Sequence, residues 1–215
     1  MPEGFFTFYT NIEVMDVSKM SLKSFGTENV DEMNSLIHLM LSNNELKAIP
    51  SFGINNRLKH LDLSNNPIEN LNAESFKNLK YLEYLNLTAT QLKELPANVF
   101  IYQENLQEID LSKNSLHNIE TNIFLPSFYT LQKIFLDCNS LSEINDLPKQ
   151  LFSRLEVLSL NSNSKSMRCH QILDFINENG WKEGLFLSRD IESKNIDEIN
   201  ENSFLCEMDS LLDSF

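Results

Sequence analysis

The stretch Leu58-Lys-His-Leu-Asp-Leu-Ser-Asn-Asn-Pro-Ile68 is apolar at its first, fourth, sixth and eleventh places and carries Asn66 at its ninth. The same ladder begins at Ile12, Leu36, Leu82, Leu106, Leu131 and Leu155, so the seven copies are spaced by 24, 22, 24, 24, 25 and 24 residues. Five copies hold Asn at the ninth place (Asn44, Asn66, Asn114, Asn139, Asn163), and the other two hold Met20 and Thr90. A near-constant period of this length belongs to a solenoid, because one unit cannot bury its apolar face alone and must stack on the next. Stacked coils share one core and count as one domain.

Within each copy the fourth and sixth residues flank one outward residue, the alternation of a short half-buried strand. Repetition in the next coil predicts parallel strands side by side. The ninth-place Asn turns the chain and can satisfy backbone groups that would otherwise be buried without partners. Thr90 can do part of this and Met20 cannot, so the first and fourth coils are expected to be looser. In the return half, Phe76, Phe100 and Phe124 each lie eighteen residues after their ladder's first leucine. That regularity reads as a second core spine, with Phe6 its upstream counterpart and Ile49, Leu71, Leu95, Ile119 and Ile144 as apolar anchors before it. Residues 97–102 and 122–127 are too short for full helices and predict single turns or 3₁₀ segments. The sixth return half, 145–154, displaces Phe152 from the spine and is expected to be irregular.

A formal net charge of −14 gives a surface that repels nucleic acid and anionic membranes and would attract a basic partner. No apolar run is long enough to cross a bilayer. Met1-Pro-Glu-Gly lacks the basic start and apolar stretch of a signal peptide. Residues 1–12 align with 95–106, so the sequence is expected to open on the descending half of an earlier coil, with the true amino terminus upstream. Residues 1–165 are assigned to about seven coils preceded by this partial one, and 166–215 to a C-terminal cap and acidic tail. The cap is placed on Ile172, Leu173, Phe175 and Ile176, which share a helix face that ends at Gly180.

Of three cysteines, Cys169 opens the cap segment and Cys206 lies thirty-seven residues on. A disulfide between them is expected, which would staple the cap and imply an oxidising compartment; an odd, low cysteine count also suits a cytosolic protein. Cys138, at the edge of the sixth strand, is either a free thiol or an intermolecular one.

The stretch Leu82-Glu-Tyr-Leu-Asn-Leu-Thr-Ala-Thr-Gln-Leu-Lys-Glu-Leu-Pro-Ala-Asn-Val-Phe100 resembles the typical 24-residue leucine-rich repeat of extracellular animal proteins, among them Toll-type ectodomains, axon-guidance proteins and insect leucine-rich immune proteins. The resemblance covers about residues 1–165 and is specific for fold, not for function. It implies an α/β fold: a leucine-rich repeat horseshoe with a concave parallel β-sheet and a C-terminal helical cap. It implies protein binding as the activity and secretion as the destination. Caps of this family carry four cysteines where this chain has two.

Carried onto this sequence, the family's exposed strand positions include the third and fifth of each ladder. The third reads Val14, His38, His60, Tyr84, Glu108, Lys133 and Val157, and the fifth Asp16, Met40, Asp62, Asn86, Asp110, Phe135 and Ser159. The expected protein-binding patch is His38, Met40, His60, Asp62, Tyr84, Asn86, Glu108, Asp110, Lys133 and Phe135, with Phe135 the foremost hot-spot candidate. His38, His60 and Asp62 as a zinc site is a weaker reading than a polar sheet surface. Paired histidines would weaken binding in mild acid. Asn86-Leu-Thr88 is the only N-glycosylation sequon, and a glycan on it would stand over the same face. Neither a phosphate loop, a nucleophile elbow nor a metal-ligand cluster is present, so no catalytic residue, metal or cofactor is assigned. Two functions remain: a secreted recognition or immune-type module binding a protein ligand or co-receptor on the concave face, or an assembly subunit that forms homo- or heterodimers through Cys138, the cap or the tail.

Overall fold

The computed structural model describes residues 11–25, 35–53, 57–142, 154–160 and 163. Seven three-residue strands, β1 Val14–Asp16, β2 His38–Met40, β3 His60–Asp62, β4 Tyr84–Asn86, β5 Glu108–Asp110, β6 Lys133–Phe135 and β7 Val157–Ser159, form one sheet in chain order. Every neighbouring pair is parallel and matches third position to third and fifth to fifth, as the ladder predicts. The inward residue of each strand (Leu39, Leu61, Leu85 and Ile109 among them) is sealed in one continuous core with the sixth-place leucines.

Each ninth-place Asn ties its own coil to the one before it. The Asn44 Nδ2 donates to Leu41 O in its own turn and to Val17 O in the preceding coil, both at 2.9 Å. Its Oδ1 accepts the Leu22 N–H, also from the preceding coil, at 3.0 Å. Asn66, Asn114, Asn139 and Asn163 repeat this pattern. A side chain that satisfies three backbone groups in the interior explains why the position tolerates few substitutes.

At the two departures the expected loosening takes another form. Thr90 is buried and its hydroxyl donates to Leu87 O at 2.8 Å, replacing one amide bond. The next coil's Asn114 then accepts from the Thr90 N–H and the Leu92 N–H. In the first coil Asn44 likewise accepts both the Met20 and Leu22 N–H groups. The residue after each exception adopts a left-handed backbone, Ser21 at φ 53° and Gln91 at φ 66°. The turn is re-routed rather than left unbonded.

The eighth position is left-handed in six coils: Lys19, Asn43, Asn65, Ala89, Lys113 and Cys138 have φ between 53° and 58°. The first five send their N–H to the seventh-place carbonyl of the next coil, at 2.7–3.0 Å. Asn accepts this conformation readily, whereas a Cβ-bearing Ala or Lys sits there at a cost of about 1 kcal/mol. Ala89→Gly is therefore expected to stabilise the protein by about 0.5 kcal/mol, after allowing for glycine's greater freedom in the unfolded chain. Urea titration of the pair checks it, and a destabilised variant would refute strain at this turn.

The return halves close the other side. Phe76, Phe100 and Phe124 stack in one line with ring centroids 5.7 and 5.8 Å apart. Phe52 is buried too; it lies six residues before the next ladder, as Phe76 and Phe100 do, and counting backwards rather than forwards reveals it. Residues 97–102 are turns and Thr121–Ser127 is a 3₁₀ segment, as their length predicts. Gln103, buried where the previous coil has Leu79, donates its Nε2 to Phe76 O at 2.7 Å, a polar tie the apolar pattern did not reveal. The sixth return half with Phe152, the Phe6 segment, the cap helix, Cys169 and Cys206 all lie outside the described residues.

Candidate functional site

The parallel register places the third-position side chains in one column across the concave face and the fifth-position ones in a second column beside it. In the first column the His38 and His60 rings stack at 4.2 Å with an interplanar angle of 16°, and Tyr84 continues the stack at 5.8 Å and 28°. The rings stand like plates in a rack, edges to solvent and faces to one another. Ring-nitrogen lone pairs lie in the ring planes, so the two histidines aim along parallel planes rather than at a common point. Among the described residues no three His, Cys, Asp or Glu groups gather as a metal cage.

Beyond Tyr84 the column turns charged. Lys133 Nζ meets Glu108 Oε2 at 3.0 Å, and one place nearer the strand start Lys59 meets Glu83 at 2.7 Å. Burial and the neighbouring His38 hold the His60 imidazole below its ordinary value of 6.5, while Glu83 and Glu108 pull the other way. Burial raises the Tyr84 phenol, and the carboxylates of Asp62, Glu108 and Asp110 push it further up. Three acidic groups therefore direct their field at the Tyr84 end of the ring stack.

The fifth column has a structural duty that spacing alone did not show. Asp16, Asp62, Asn86 and Asp110 each accept, through Oδ1, the N–H two residues on, at 2.9 Å. This Asx turn ends the strand and turns the chain toward the left-handed eighth position. At Asp16 the Ser18 N–H, then its hydroxyl, holds the carboxyl below the ordinary value. Met40, Asp62, Asn86 and Phe135 are half-buried, as are His38, His60, Tyr84, Glu108 and Lys133 in the first column.

Two expectations need correction. Asp110, expected to face solvent, is only 4% exposed; its register neighbours are Asn86 and the bulky Phe135, and it serves its own turn. The face also closes at its last strand, where Val157 and Ser159 are buried. Cys138 is exposed and free, on the left-handed turn after β6. Away from the sheet, Ile101, Tyr102, Leu125 and Tyr129 are exposed on the return halves of the fourth and fifth coils, Tyr129 at 72%. Their lack of a repeating pattern kept them out of the sequence reading. Among the described residues no helix is long and apolar enough to cross a membrane.

The family described as Leucine rich repeat matches residues 10–68 and 56–116. Human prolargin is 35% identical over 74 residues, 34% of this chain and 19% of prolargin. Among solved structures, the TLR13–ssRNA13 complex superposes with a TM-score of 0.63 at 29% identity, covering 72% of this chain and 22% of that one. The Toll–Spatzle complex of Drosophila gives 0.64 at 22% identity over 77% of this chain and 23% of the other. Internalin C2 of Listeria monocytogenes gives 0.56 at 23%, covering 71% and 62%; at these last two identities the likeness is one of fold. The chain spans about a fifth of prolargin and of the two Toll-type chains, and less than two thirds of internalin C2. The repeat ladder, the seven-strand parallel sheet and these matches converge: the chain belongs to the leucine-rich repeat family and has Toll-type ectodomains among its structural relatives.

Proposed function

We propose that the protein is a non-catalytic, extracellular recognition module of immune type that binds a protein ligand or co-receptor on its concave face. One observation carries this reading. The ring stack of His38, His60 and Tyr84, with Met40 in the adjoining column and Phe135 two strands beyond Tyr84, stands half-exposed at positions where the fold requires no aromatic or apolar group. Relatives solved in complexes, one with Spatzle and one with single-stranded RNA, support a recognition role for this scaffold. The net charge of −14 favours a protein partner over a nucleic acid for this chain. The reading requires Asn86 to be unmodified, since a glycan on its Nδ2 would cover the centre of the sheet.

The test uses the full chain as bait on medium and surface extracts of the cells that make it, with the intact mass recorded first. Tyr84→Ala with Phe135→Ala is expected to lower capture of its partner about thirty-fold, as hot-spot truncations of about 2 kcal/mol do. Tyr129→Ala on the opposite side is expected to leave capture unchanged. The reverse pattern, or a hexosamine mass on Asn86, moves the partner to the return-half flank and overturns the concave-face reading.

A further inference from the structure

We propose that the Tyr84 end of the concave face is an arginine-binding subsite, so that the partner presents a basic, arginine-bearing segment there. The subsite rests on the reading of the sheet face as the partner-binding face. Both faces of the His60 ring are taken, by His38 at 4.2 Å and by Tyr84 at 5.8 Å. Tyr84 has one face against His60; the other is turned along the column toward its register neighbour Glu108. A planar cation laid on that face would be the fourth plate of the rack. Arg supplies a flat, delocalised guanidinium that stacks on an aromatic face while its N–H fork reaches a carboxylate, and Lys supplies neither.

The charge around this face is complementary. Lys59 and Lys133 pair with Glu83 and Glu108, and the half-buried Asp62 carboxylate adds negative charge beside these pairs. Asp62, Glu108 and Asp110 already act together on the Tyr84 hydroxyl. Glu108 meets Lys133 through Oε2, on the side away from Tyr84 in the strand order. The His60 imidazole, kept neutral at physiological pH by its surroundings, adds ring surface without repelling a cation. In mild acid the His60 imidazole gains charge and opposes the guest, with His38 and Lys59 alongside and Glu83 and Glu108 screening that charge in part.

The probes are three blocked pentapeptides, with Arg, Lys or citrulline between glycine pairs, titrated into the full chain and followed by the backbone amide resonances of β3 to β5. The arginine peptide is expected to bind about three-fold more tightly than the lysine peptide, and the citrulline peptide not at all. Tyr84→Leu is expected to weaken arginine binding about five-fold and erase the preference over lysine, while Tyr84→Phe keeps both. Glu108→Gln retains the ring and still weakens binding about three-fold, which covers the case of a misfolded leucine variant. Lowering the pH from about 7.5 to about 5.5 weakens the arginine peptide in the wild type. Equal binding of the arginine and lysine peptides, or a full response in both Tyr84→Leu and Glu108→Gln, leaves only diffuse charge attraction and removes the subsite. If the peptides fail while Tyr84→Ala with Phe135→Ala still lowers partner capture, the arginine assignment alone falls and the concave-face reading stands.

Discussion

Asn114→Ala is expected to destabilise the protein by about 3–4 kcal/mol, more than any other single change in the turn ladder. Its Nδ2 donates to Leu87 O and Leu111 O at 2.9 Å and to Ser112 O at 3.2 Å. Its Oδ1 accepts Thr90 N–H and Leu92 N–H, both at 3.0 Å. Alanine leaves these groups facing a cavity with no solvent to replace the amide, and each buried orphan costs about 1–3 kcal/mol, offset in part by local relaxation. Asn66 is the internal comparison. Its Nδ2 makes the same bonds, but its Oδ1 takes one backbone donor, Leu46 N–H. Asn66→Ala should therefore cost about 1 kcal/mol less. Denaturant melts of both variants decide the matter: equal losses would mean that Asn114 does not carry the extra duty left by Thr90.

Phe100→Ala is the second large effect, at about 3–5 kcal/mol. The ring is fully buried between Phe76 and Phe124, so its removal strips a face from each neighbour and leaves a void one coil wide between them. Phe100→Leu keeps most of the volume and should cost no more than about 2 kcal/mol. Native domains are stable by about 5–15 kcal/mol, so the alanine variant spends a large part of the total. Amide exchange should show the fourth coil and its two neighbours opening together, since coils contact only their neighbours. A loss below about 1 kcal/mol for alanine would show that the spine fills space without holding the coils together.

The two effects concern the part of the molecule that was legible in sequence, and the reason is periodicity. Leu61, Leu85 and Ile109 recur at one place in the ladder and lie at one place in the core. A strand of three residues with its centre buried fixes its register, because a slip of one residue would turn the leucine outward. The candidate site followed only in outline. The columns themselves came from position, but Asp110 is buried with Phe135 as its register neighbour one strand away, and no pattern within a single coil contains that pairing. The Asx turns of Asp62 and Asn86 were likewise hidden, because the same residue types also suit an exposed binding surface. The stacking of His38 on His60 arises from two coils presenting the same ring at strand spacing. The left-handed eighth position left no glycine to announce it: Ala89, Lys113 and Cys138 occupy it.

The ninth-place amides have a direction. Leu46 N–H is satisfied by Asn66 and Leu92 N–H by Asn114, in each case a residue of the coil made later. A chain growing from a ribosome therefore carries a leading coil whose turn stays open until about twenty more residues have emerged. Maturation of the stack lags synthesis by one unit, and a pause in translation just after one ladder strands that coil in its unfinished form.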